Sequence, residues 1–346
     1  MSAAEGRAAG VRGKQKSYAP HGQRVARILK EYISTEEVRS LHRRRPLLHF
    51  AVAVRQLVLI LLTAFGLWKL TQPWFWIPLA LLQGFHILGT TILLHEWVHD
   101  SIFQQPHRRW MRILGLLYAL PSSLSASQFA RWHMDHHYEL GSDGEDPKRA
   151  YLTPKTVTRW YKALYLTPVL FVIYAVASAR ETRGYPRQLR RRIALERAVN
   201  ILFHVGLATG LWAAGGFGLA FRVHLAPLFL AFPLAFTVNR LGQHYDINPG
   251  DPLQWSTLVR SQPVWNFLFL WSNFHLEHHY YPRVPCYRLP DLHRKLAPLY
   301  RDRGMRYRGL GEILWQWFGK NRVPHTNWLE GPEDGRPEPA GSASTT

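Results

Sequence analysis

The stretch WFWIPLALLQGFHILGTTILLHEWVH, residues 74–99, decides the fold. Residues 74–94 carry no Asp, Glu, Lys or Arg and are long enough to cross the hydrocarbon core of a bilayer as a helix. His95 and His99 follow at once, one helical turn apart. A candidate membrane span therefore runs straight into a pair of imidazoles.

Working outward, residues 50–71 (FAVAVRQLVLILLTAFGLWKLT) read as an earlier span, with Arg55 near its inner end, where it can snorkel. Only Gln72 and Pro73 separate it from 74–94, so the two form a helical hairpin. Trp68, Trp74 and Trp76 stand at its outer turn as interfacial anchors. Three more apolar segments lie at 163–179, 198–218 and 223–239. Seven arginines fall between Arg180 and Arg197 and place that stretch on the cytoplasmic side. Segment 163–179 should then lie in the interface or re-enter instead of crossing. Segments 198–218 and 223–239 make a second hairpin, with Arg222 in its short outer turn. The expected fold is all-α and integral to the membrane: four transmembrane helices in two hairpins, both termini inside, and a cytosolic helical cap. Residues 1–46, with 11 Lys and Arg, read as a basic cytosolic arm. Residues 47–326 read as the membrane domain, and 327–346, rich in Glu, Pro, Gly and Ser, as a disordered tail.

Composition removes several classes of protein. The 14 Trp, 15 Tyr and 17 Phe exclude a disordered chain. A single cysteine, Cys286, excludes a disulfide framework and any four-cysteine zinc or iron–sulfur site. A net charge of +20 first suggests nucleic acid. The arginines cluster at span ends, however, and no nucleic-acid motif accompanies them, so the charge is assigned to the cytoplasmic membrane face and no nucleic-acid partner is expected. What remains to be explained is the 18 histidines.

Eight of them fall in three clusters: His95 and His99; His133, His136 and His137; His275, His278 and His279. At this histidine content an HxxxH pair is expected about once by chance, but an HxxHH triple only about 0.05 times, and the chain has two. At ~100° per residue, positions i+3 and i+4 flank position i, so each triple puts three imidazoles on one helical face. Eight nitrogens exceed what one ion can use and suffice for two ions with four each. Imidazole suits Fe, Zn, Cu and Ni, and the absence of clustered cysteine disfavours thiolate sites. Two nitrogen-held metals beside a membrane fit oxygen activation by a di-iron centre better than hydrolysis. Glu96, Asp100, Asp135 and Glu277 are candidates to accept the second imidazole N–H and fix each ring's tautomer. His244, just past the last span, is a candidate ninth ligand, and Asn239 a weaker candidate for a direct or water-mediated contact. His86 and His204, within spans, read as hydrogen-bonded packing residues. His21, His42, His49, His107, His224, His293 and His325 are given no special role.

In this order and on this scaffold, the boxes resemble the membrane fatty acid desaturase superfamily, which also contains alkyl and carotenoid hydroxylases and ketolases. Residues 94–103 (LHEWVHDSIF) look like its first box, and Asp146-Pro147 suits the second. Residues 272–279 (SNFHLEHH), with 281–285 (YPRVP) and 289–293 (LPDLH), are similar to the third box of acyl-lipid desaturases. The resemblance covers about residues 45–300. It implies a mushroom-like four-helix stem with a cytosolic cap, and two iron ions (Fe2+/Fe3+) held by the eight box histidines. His244 matches an extra histidine that many members carry. The implied reaction removes two hydrogens from an acyl chain with O2 as co-substrate and two external electrons, leaving a double bond and water. The electrons are expected from a ferredoxin or a cytochrome b5 type donor with its reductase, since neither arm nor tail has room for a fused carrier. The expected setting is the bilayer of a bacterial cell membrane, with the boxes cytoplasmic.

Three other readings compete. His95-Glu96-Trp97-Val98-His99 literally matches the HExxH of zinc proteases, in which the glutamate activates water, but that leaves six boxed histidines idle. A metal-buffering membrane protein would carry its histidines in flexible tracts. A hydroxylase or ketolase on the same scaffold would share every ligand.

Overall fold

The computed structural model describes residues 19–105, 108–140, 142 and 144–328; His107, most of the tail and the first 18 residues lie outside them. Among the described residues the secondary structure is helical, with one isolated bridge between Val259 and Arg308.

Helix α1 (Ala19–Tyr32) and α2 (Thr35–Leu41) come first. A capping box starts α2: Ser34 Oγ accepts the Glu37 N–H at 3.2 Å, and the Glu37 carboxylate accepts the Ser34 N–H at 3.0 Å. Val25, Leu29, Ile33 and Leu41 are buried with Leu289, Leu292 and Leu296, so this part of the basic arm is built into the cap.

The first hairpin is α3 (Pro46–Lys69) and α4 (Pro73–Val98), each opened by a proline that has no N–H to leave unpaired. Trp68 and Trp74 are exposed at its turn. Arg55 sits with its guanidinium carbon 4.9 Å from the Phe267 ring centroid. Helix α5 (Arg108–Ala119) follows, with Trp110, Ile113, Leu116 and Leu117 exposed on an apolar face, the pattern of a helix lying in an interface. The chain then bends by 92° into α6 (Ala126–Tyr138).

Short helices α7 (Pro147–Leu152) and α8 (Arg159–Leu164) lead to α9 (Val169–Arg183). At 15 residues α9 falls short of the ~20 needed to span. It is tied to α6, with Ser178 Oγ donating to Gln128 Oε1 at 2.6 Å. Helix α10 (Arg187–Ala220), two π-helical turns and α11 (Phe232–His244) make one 58-residue apolar run, the third helix suited to a membrane after α3 and α4. It breaks at Gly215 and Gly216, where φ is +75° at Gly216, a conformation that favours glycine. The two arms fold back together, and the His204 ring stacks on His224 with centroids 5.1 Å apart. The run is long enough to supply two of the expected four crossings, α3 and α4 being the other two candidate spans.

This corrects the turn expected at Arg222. The residue lies inside the second arm, where its Nε donates to the Leu67 carbonyl at the end of α3. At Gly84 of α4 an added Cβ would meet Ala231 at 2.5 Å, so the second arm packs there on bare backbone. The remaining cap holds α12 (Pro263–Leu268), α13 (His275–Tyr280), α14 (Leu289–Asp302) and α15 (Leu310–Leu314).

Candidate metal centre

Four helices deliver the histidines. His95 is in the last turn of α4 and His99 caps it; His133, His136 and His137 are on α6; His244 ends α11; His275, His278 and His279 are on α13. The first turn of α6 is fixed from the stem. Glu196 of α10 accepts the hydroxyls of Ser125 and Ser127, each at 2.6 Å, and the Ser127 N–H at 2.9 Å.

All nine imidazoles come together, in two groups. His95, His99, His133, His137 and His278 form one; His136, His244, His275 and His279 form the other, and within each group the nitrogens lie within 4.8 Å of one another. The even split expected from eight histidines is replaced by five and four, with His244 completing the second group. Each HxxHH triple divides in the same way. The i and i+4 rings (His133 with His137, His275 with His279) share a group, and the i+3 ring (His136, His278) goes to the other. On a helix i+4 lies ~40° from i on one side and i+3 ~60° on the other, so one turn can face two centres.

The donors suit a cation. In the second group His136 Nδ1–H donates to Asp146 Oδ2 at 2.8 Å and His244 Nδ1–H to the Trp255 carbonyl at 2.8 Å. Both Nε2 atoms are then lone-pair acceptors, yet they face each other at 3.1 Å. The His244 Nε2 lies 3.0 Å from that of His275 and 3.1 Å from that of His279. Four nitrogens ~2.0–2.1 Å from a tetrahedral ion stand about 3.3–3.4 Å apart, close to this spacing. In the first group His95 Nε2 is buried with no hydrogen-bond partner among the described residues, its ring 4.3 Å from those of both His133 and His278. Burial holds His275, His278 and His279 well below the ordinary imidazole value, so protons do not take the place of a cation there.

The residues that brace these rings differ from those expected. Asp135 pairs with Arg131, and Asp100, in a left-handed turn, bonds no box imidazole among the described residues. Glu277 accepts from Tyr300 and His293, and so braces α13 against α14. Glu96 accepts the Ser101 hydroxyl at 2.8 Å and the Cys286 N–H at 2.9 Å, with His95 Nδ1 farther off at 3.9 Å. The carboxylate that does hold a box ring is Asp146. Its Oδ1 also accepts the backbone N–H groups of Lys148 and Arg149, so one residue caps α7 and orients His136. The Asp-Pro pair marks the cap in sequence, but nothing in it marks the second task. His325, given no role in sequence, is half-buried beside the second group and hydrogen-bonds Thr153 at 3.1 Å.

A cavity adjoins both groups, with His95, His133, His275 and His278 in its wall. Leu88, Ile92, Phe129, Trp132 and Phe236 make much of the rest apolar. Asn239 belongs to this wall; its side-chain oxygen accepts the Ser272 hydroxyl at 2.9 Å. His86 is buried in α4, outside both groups.

A family model described as fatty acid desaturase matches residues 71–311. A sphingolipid delta(4)-desaturase/C4-monooxygenase of Homo sapiens is 28% identical over 319 residues, spanning 86% of this chain and 88% of that protein. A sphingolipid delta(4)-desaturase of Xenopus tropicalis is 28% identical over 307 residues with the same coverage. Both sources are eukaryotic and lend no support to the expected bacterial membrane. With a match over residues 71–311, a multi-pass helical stem and clustered histidines, the chain belongs to the fatty acid desaturase family, as a membrane oxidoreductase acting on lipid.

Proposed function

We propose that the protein is a di-iron, O2-dependent lipid desaturase. In this reading His95, His99, His133, His137 and His278 ligate one iron, and His136, His244, His275 and His279 the other. The observation that carries it is the convergence of nine imidazoles, five and four, with four of them in the wall of one largely apolar cavity. A bound iron pair would supply O2 reduction by two electrons and removal of hydrogen from an unactivated C–H bond.

The chain's own residues do the rest. Leu88, Ile92, Phe129, Trp132 and Phe236 bind a hydrocarbon chain and exclude water along it. Asp146 and the Trp255 carbonyl hold the His136 and His244 rings in the tautomer that presents Nε2. Electrons come from an external ferredoxin or cytochrome b5 type carrier with its reductase, and the net charge of +20 suits an acidic one. The cap is cytoplasmic, on the side of the Arg180–Arg197 arginines.

The substrate is an acyl-type lipid, and the relatives favour a sphingolipid. Their printed names also keep hydroxylation on the same scaffold as the second reading, since one is both a desaturase and a C4-monooxygenase. The HExxH protease reading has little left to support it, because His95 and His99 share their group with three further histidines. Mass spectrometry of the lipids of a host expressing the protein is the test. A lipid lighter by two hydrogens supports desaturation, one heavier by an oxygen supports hydroxylation, and an unchanged profile with active donor present overturns both.

A further inference from the structure

The cavity that holds the histidines has an unbalanced electrostatic lining. Two basic side chains, Lys148 and Arg240, stand in its wall with a single carboxylate, Glu96. That carboxylate is already engaged by Ser101 and Cys286. Arg240 spends its N–H groups on carbonyls, donating to Leu152 at 2.8 Å and to Lys148 at 3.5 Å. Lys148 Nζ makes no hydrogen bond or ion pair with any described residue. The neighbouring carboxylate, Asp146, is taken up by His136 and by the N–H groups that start α7.

Both side chains are half-buried, facing the cavity. Desolvation lowers the Lys148 ammonium to about 7, against the raising effect of Asp146. The histidines do not offset the basic charge. Nine imidazoles bring no negative charge, so any metal they hold makes the cavity more positive still. An anionic group that enters would offset that charge.

The polarity of the wall has a direction. Phe236, Asn239, Arg240 and Gln243 lie along one face of α11, from apolar at 236 to polar at 243, over ~10 Å. The polar end is the end that carries His244. We propose that Lys148 Nζ, backed by Arg240, binds an anionic group, carboxylate or phosphate, at the polar end of the lipid substrate. The carbons next to that group are then the ones presented to the histidines, while the tail occupies the apolar wall. The inference rests on the desaturase reading but is tested apart from it.

The probe is radiolabelled stearate bound to the detergent-solubilised full-length protein and competed by stearate, octadecyl phosphate or octadecanol. An anion in a charge-assisted contact should compete at about tenfold lower concentration than the alcohol. Lys148→Met should erase that difference and Lys148→Arg should keep it, with iron content reporting that each variant is folded. Stronger competition by stearate assigns a free acyl acid, and by octadecyl phosphate a phospholipid-type head; both support the site. Octadecanol competing as well as the anions, or an unchanged preference in Lys148→Met, overturns it. If the parent holds iron while showing no anion preference, only this inference falls. If it holds no iron, the desaturase reading falls with it.

Discussion

Asp146 and His136 are joined by a 2.8 Å hydrogen bond across ten residues of chain, from the cap of α7 to the last turn of α6. The bond fixes the ring so that Nε2 faces His244 and His279. Removing such a brace typically costs ~10–100-fold in metal affinity or activity. Asp146→Ala should therefore lose iron to a chelator at correspondingly lower concentration. Asp146→Asn, which keeps one acceptor oxygen for either the ring or the helix cap, should lose less. Equal retention in Asp146→Ala and the parent would remove Asp146 from the site.

Glu96 separates the two metal chemistries. As the general base of a zinc protease it would be indispensable, and Glu96→Gln would end turnover with metal still bound. Here its carboxylate is engaged by Ser101 and Cys286, so it positions the end of α4. An amide oxygen can still accept one of those bonds. Glu96→Gln should retain measurable desaturation of host lipids, whereas His99→Gln should retain none.

The topology can be read with one thiol. Arg187 is exposed at the start of α10, and native Cys286 is buried and out of reach. An Arg187→Cys variant should resist an impermeant maleimide in intact cells and react once the membrane is opened. Labelling from outside would overturn the four-crossing topology.

Metal-free protein should also lose stability in acid. The fold keeps His275, His278 and His279 neutral by burial, while the unfolded chain protonates them below pH ~6.5. Stability from these residues is therefore full above that pH and falls as pH drops, by up to about 1.4 kcal/mol per unit for each ring. The Tm of the apo-protein in detergent should decline between about pH 7.5 and pH 5.5. A flat profile would mean that the rings are solvated.

Much of this was legible because helical periodicity carries it. The spacing of the three boxes predicts imidazoles on shared faces, and the apolar runs predict a stem of two hairpins. The spacing could not say which ring serves which centre, because i+3 and i+4 fall on opposite flanks and only the position of α13 against α6 assigns them. His244 had no periodic partner in sequence; its group is set by where α11 ends. The turn was misplaced at Arg222 because a charge is the hydropathy signal for a span's end. The physical signal was the Gly215-Gly216 pair, since only a positive φ lets the run reverse there. The task of Asp146 stayed hidden because a helix cap already accounts for an Asp before Pro.

The central claim is that the nine histidines hold two iron ions, and metal analysis of the purified full-length protein tests it most directly. The account predicts about two irons per chain in the parent, each held by four or five nitrogens, and about one in His136→Ala, which takes a donor from the second group only. A single zinc per chain in the parent, with no iron and no change in His136→Ala, would contradict it.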